Sequence, residues 1–145
     1  VGTYRVIKDK KQILKTIFSK DFNLREEIVV EEDPGIAKTK ENLGEAKIVD
    51  YKPNNIEISV DANNKALLFL SDNYYIGWKA KVDGKEVRIL KADYTFRAIP
   101  VEAGRHKVRF YYDPWSFKLG IAFALAGLIG IVITCFVSRT GGGSR

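Results

Sequence analysis

Hydrophobic and polar positions alternate along most of this chain, and changes in their period divide it into parts. The opening TYRVI predicts a short strand. In DKKQILKTIFSKDF, Ile13, Leu14, Ile17 and Phe18 share one helical face with lysines opposite, which predicts an amphipathic helix of about two to three turns. EEIVVEE predicts a strand and the following DPG a turn, while IAKTKENLGE has no clear period and reads as a loop. From Ala46 onward period two dominates. AKIVDYK and IEISV are joined by PNN, with Ile56, Ile58 and Val60 alternating against Glu57 and Ser59. ALLFL is continuously apolar and is therefore expected at the centre of a sheet. WKAKV with KEVRI, and TFRAIPV with HKVRFYY, read as two hairpins closed by Asp83-Gly84 and by EAG. Roughly eight or nine short, closely spaced strands predict a mainly β fold. The expected architecture is an antiparallel, jelly-roll-like β-sandwich with one short N-terminal amphipathic helix.

The pattern changes again near the end. From Leu119 to Val137 there is no charged residue, and Lys118 and Arg139 close the run. As a helix it would be roughly 28 Å long, close to the hydrocarbon thickness of a bilayer. Trp115 and Phe117 stand where an interfacial aromatic anchor belongs. A core helix would show a polar stripe, and this run has none. A single transmembrane helix is expected to follow the β-domain. The division expected is therefore 1–45, the N-terminal strand-helix-strand portion of the ectodomain; 46–114, its β-sandwich core; 115–138, the membrane helix; and 139–145, a flexible tail. Ala122, Ala126 and Gly130 recur every four residues, which predicts a helix-packing face against another membrane span. The competing reading is that alanine and glycine are common in such helices.

One stretch, SDNYYIGWKAKVDGKEVRIL, combines aromatic residues with a strong turn signal. Taken as a two-residue type I′ turn, Asp83-Gly84 sets Val82 opposite Lys85, Ala80 opposite Val87 and Trp78 opposite Ile89. Trp78 then falls on the apolar face and is expected to be buried beneath the second sheet. Tyr74 and Tyr75 precede Gly77 in a loop, and neighbours in extended chain point to opposite sides. One tyrosine can pack inward while the other stays exposed. With Asp72 and Asn73, the exposed one could stack on a sugar and hydrogen-bond its hydroxyls. The residues alone favour an ordinary strand-end turn in which Asp72 caps backbone amides.

Composition narrows the chemistry. The 145-residue chain carries a formal charge of +6. Acidic and basic side chains nearly balance over residues 1–61, and basic ones dominate over 62–118. Anionic lipid head groups or an anionic cell-surface glycopolymer would be attracted there. The lone Cys135 lies in the apolar run, so no intrachain disulfide is expected. His106 has no Ser, Cys or Asp partner at a diagnostic spacing. Glu31, Glu32 and Asp33 lack the spaced oxygen ligands of a calcium loop, and TGGGSR lacks the lysine of a phosphate loop. No catalytic residue, metal site, cofactor or nucleic-acid partner is expected. The opening VGTYRVIKDK has neither an apolar targeting core nor an initiator methionine, so the chain is expected to be the end of a longer protein.

The segment from LLFLSDNYYIGWKAKVDGKEVRIL to HKVRFYYDPWSFKLG resembles the C-terminal signature of the YfhO family of bacterial polytopic membrane proteins. The resemblance rests on Ser71, Asp72, Tyr74, Tyr75, Gly77, Trp78, Val82 to Lys85, Phe96, Arg97, Gly104, His106, Tyr112 and Pro114. Ile76 stands where the family often has proline. The resemblance implies a GT-C-like glycosyltransferase that takes sugar from a polyprenyl-phosphate donor outside the cytoplasm, with its catalytic acid in an early loop absent here. This chain would then be a non-catalytic extracytoplasmic β-domain plus the last membrane helix, partnered by lipids and by other spans of the same protein. The alternatives are a single-span surface carbohydrate-binding module and an accessory structural subunit of a membrane complex. Charge counting alone does not orient the domain, because Arg105, Lys107, Arg109 and Lys118 precede the helix and Arg139 and Arg145 follow it. The resemblance places it outside.

Overall fold

The computed structural model describes residues 1–39 and 43–140. It divides into two compact units, Val1–Tyr112 and Asp113–Arg145.

In the first unit the elements are β1 (Thr3–Val6), α1 (Lys10–Ile17), β2 (Glu27–Val30), β3 (Gly44–Lys52), β4 (Asn55–Ala62) and β5 (Ala66–Leu70). They continue with β6 (Trp78–Val82), β7 (Lys85–Val87), β8 (Leu90–Ala92), β9 (Phe96–Val101) and β10 (Gly104–Tyr112). Two five-stranded sheets form, in the orders β1-β2-β8-β9-β5 and β3-β4-β10-β6-β7. All pairings are antiparallel except β1 with β2, which α1 joins as a crossover. The fold is the mainly β, two-sheet architecture that the period-two pattern predicts.

The alternation in β4 shows why the sheets close on each other. Ile56, Ile58, Val60 and Ala62 point inward, where they pack with Ala80, Ile99, Val101, Val108 and Phe110 between the sheets. A second cluster, around Tyr4, Ile28, Val30, Leu67, Leu90 and Ala98, occupies the other face of the first sheet. The Val1 terminal ammonium donates to the Leu67 carbonyl and the Leu67 amide donates to the Val1 carbonyl, drawing opposite edges of that sheet together around this cluster. This corrects the placement expected for ALLFL. β5 is a sheet edge, and its continuous apolar run reflects burial of both faces rather than strands on both sides.

Three further expectations change. The β6–β7 hairpin has the predicted register, with Ala80 opposite Val87 and Val82 opposite Lys85, and Asp83 (φ 50°) and Gly84 (φ 82°) both left-handed. The ladder stops at Val87, however, so Trp78 and Ile89 do not pair: the chain leaves for β8 in the other sheet. Likewise β9 and β10 are not a hairpin. The EAG connection carries the chain across the sandwich, and β10 inserts between β4 and β6. In α1, capped by Asp9 accepting from the Gln12 amide, Ile13 and Ile17 pack against Phe22, Val29 and Ile7. Leu14 and Phe18 do not join that face; both are exposed.

The second unit contains α2 (Trp115–Thr140), an apolar helix whose Trp115–Phe136 stretch is long enough to cross a membrane. Ala122, Ala126 and Gly130 lie on it with exposed side positions. Of the expected tail, 139 and 140 fall in α2, and 141–145 lie outside the described residues, as do 40–42 of the expected loop.

Candidate functional site

Several strand ends meet at one end of the sandwich. β5 finishes at Leu70, and residues 71–77 lead back into β6 through Gly77, whose φ of 109° few other residues adopt. The β3–β4 turn, the start of β9 and the end of β10 arrive beside it. Tyr112 donates its amide to the Asn54 carbonyl, and the Tyr74 amide donates to the Thr95 carbonyl, tying these ends together. Between them is an open hollow of about 400 Å³ lined by Asn54, Asp72, Asn73, Tyr75, Trp78, Arg97 and Tyr112.

Its walls are aromatic. The Tyr75 and Tyr112 rings are 6.4 Å apart, and those of Trp78 and Tyr112 are 5.6 Å apart. Trp78 is half-buried, one part packed on the inter-sheet core and the rest facing the hollow. It is therefore less completely buried than its place in the hairpin pattern suggests.

Beneath the rings lies Arg97, with only 1% of its side chain exposed. Its guanidinium carbon is 4.0 Å from the Trp78 ring centroid and 5.4 Å from that of Phe110, a cation within reach of two aromatic rings. Nη2 donates to Asp72 Oδ2 at 2.8 Å, while Nε and Nη1 have no protein partner. Burial pulls the Arg97 pKa down, and the Asp72 carboxylate opposes that shift. Asp72 Oδ2 also accepts from the Tyr51 hydroxyl at 3.1 Å, which raises the Tyr51 pKa. Asp72 thus serves as counter-ion to a buried arginine, a role that the turn reading of its loop does not include.

The fold brings Asp72, Asn73 and Tyr75 into the hollow and leaves Tyr74 out of its lining, half-buried. Tyr75 is 65% exposed. Asn73 accepts from the Thr95 hydroxyl, which fixes its carbonyl and leaves its amide group for other partners. Asn54, Trp78, Arg97 and Tyr112 are additions that sequence reasoning did not assign to a site. Arg97 left a trace, as a charge inside the otherwise apolar run FRAIPV.

The other residues singled out have local partners. Glu31 and Glu32 pair with Lys91 and Arg88, and Asp33 accepts from the Tyr4 hydroxyl and the Gly35 amide. His106 Nδ1 lies 2.7 Å from Asp83 Oδ2, a contact between neighbouring strands of one sheet that sequence spacing does not reveal.

Flat aromatic faces suit the C–H face of a pyranose ring, and a ring of amide and carboxylate groups suits its hydroxyls. The hollow offers both within one open depression.

The family described as "Bacterial membrane protein YfhO" matches residues 8–124. A curated relative, "Uncharacterized protein YfhO" of Bacillus subtilis (strain 168), is 26% identical over 91 residues, covering 63% of this chain and 10% of the relative. The chain thus spans about a tenth of that relative's length. No solved structure matches.

Proposed function

The chain belongs to the YfhO family of bacterial membrane proteins, and from that premise we propose that it is a non-catalytic β-domain and membrane helix of a multi-spanning glycosyltransferase. In this reading the parent enzyme takes sugar from a polyprenyl-phosphate donor and modifies a cell-surface polymer. The β-domain faces the extracytoplasmic side and holds acceptor carbohydrate near the membrane. Residues 1–45 and 46–114 serve together as that ectodomain, and 115–138 anchor it.

The observation that carries this reading is the hollow formed by Tyr75, Trp78 and Tyr112 over the Asp72–Arg97 pair. The pair would preorganise the site: buried Arg97 packs on Trp78 and holds Asp72 at the rim, so a sugar would meet prearranged groups. Asp72, Asn73 and Tyr75 would contact the sugar directly. Tyr74 would position the loop through its backbone bond to Thr95.

The test is transfer from a polyprenyl-phosphate sugar in reconstituted membranes. The full-length protein should transfer sugar and this chain alone should not. Tyr75→Ala in the full-length protein should raise the acceptor KM with little change in kcat. Turnover by the isolated chain, or an unaltered KM, would overturn the proposal.

A further inference from the structure

The outward side of α1 is unlike the rest of the first unit. Phe18, at the helix end, is 82% exposed, Leu14 one turn earlier is exposed, and so is Leu24 just beyond. The inward residues Ile13 and Ile17 already hold the helix to Phe22 and Val29, so the exposed ones add nothing to the core. Leaving a phenylalanine in water is unfavourable without a partner.

The surrounding charge is one-sided. Over residues 8–26, Lys8, Lys10, Lys11, Lys15, Lys20 and Arg25 are all exposed, against Asp9, Asp21 and Glu26. Asp9 is occupied as the helix cap. Lys10 and Lys11 lie one turn before Leu14, on the same helical side. Exposed aromatic and aliphatic tips framed by long basic side chains match the interfacial region of a bilayer, where apolar groups enter the acyl boundary and ammonium groups snorkel to phosphates.

We infer that α1 is a second membrane contact of this chain, laying Phe18, Leu14 and Leu24 on the surface of an anionic bilayer. Two observations select a lipid surface over a protein partner. The basic side chains complement anionic head groups, and α2 is long and apolar enough to cross a bilayer, a tether that would raise the local concentration of that surface. Weak adsorption suffices under such a tether. The contact would restrict how the domain moves relative to the membrane, independently of whether the hollow binds sugar.

The experiment reconstitutes the whole chain in vesicles with brominated acyl chains, either phosphatidylcholine alone or with phosphatidylglycerol. Phe18→Trp supplies the reporter, read as the difference from the parent chain, whose Trp78 and Trp115 give the background. The substitution is at an exposed position and keeps an aromatic ring, so folding is retained. Quenching at position 18 is expected with phosphatidylglycerol. Replacing Lys10, Lys11 and Lys15 by Gln should lower the embedded-to-free ratio at least about tenfold. No quenching in either lipid would overturn the inference, as when another protein segment covers Phe18. Equal quenching in both lipids, insensitive to the lysines, would also overturn it.

Discussion

Arg97 and Asp72 form an ion pair at 2.8 Å in which one partner is sealed within the sandwich and the other stands at its rim. The strength of such a pair is seen when it is broken, because a buried charge left alone is costly. Asp72→Ala should therefore destabilise the domain by about 2–3 kcal/mol, less than a fully buried pair because Asp72 remains partly solvated. Asp72→Asn keeps an acceptor and should cost less. Denaturant unfolding followed by near-ultraviolet circular dichroism checks both.

The β6–β7 turn makes a separate prediction. Gly84 has a φ of 82° and nothing within 4 Å of the place a Cβ would occupy. Gly84→Val should thus destabilise through backbone strain alone, by about 1–3 kcal/mol. Gly84→Asn should be tolerated better, since asparagine accepts the left-handed region. Comparing the two melting temperatures separates strain from steric clash.

Behind the same turn, Asp83 joins β10 twice: Oδ2 meets His106 Nδ1, and Oδ1 accepts from the Lys107 amide. The hydrogen bond to Asp83 holds the His106 pKa above its ordinary value, and the bond to His106 holds that of Asp83 below its own. The histidine contribution is fully present below about pH 6.5 and fades as pH rises through the raised value. That of Asp83 is present above about pH 4 and is lost as pH falls through the lowered value. Both are in force between these limits. Asp83→Asn, which suits the turn, should lower stability more at mildly acidic pH than at pH 8 or so. Melting curves across that range provide the check.

In α2, the recurrence of Ala122, Ala126 and Gly130 gives a side with little bulk. If another span packs there, Ala126→Leu should reduce the yield of folded full-length protein, while Leu128→Ile should leave it unchanged. Size-exclusion profiles of the two variants in detergent distinguish a packed face from a lipid-facing one.

Much of this molecule was legible in local patterns. The alternation of Ile56, Ile58 and Val60 and the Asp83-Gly84 turn fixed a face and a register, because both depend on neighbours close in sequence. The choice of sheet was not legible. Ile89 leaves its hairpin and β9 parts from β10 because the sandwich must pass strands between its layers, a demand that no short segment encodes. The hollow was half visible for the same reason. Asp72, Asn73 and Tyr75 sit in one loop, but Arg97 and Tyr112 reach it only through β9 and β10. Leu14 and Phe18 fit the helical period yet remain outside, since α1 is short and the available core admits only Ile13 and Ile17.

The central claim is that the aromatic hollow holds carbohydrate, and direct titration tests it. The purified chain, titrated with methyl glucopyranoside and with its N-acetylated amino-sugar counterpart, should give a saturable change in Trp78 fluorescence with at least one of them. Tyr75→Ala, which removes an exposed ring, should abolish that change while leaving the unfolding temperature unaltered. No saturable response to either sugar, or an undiminished response in Tyr75→Ala, would contradict the account.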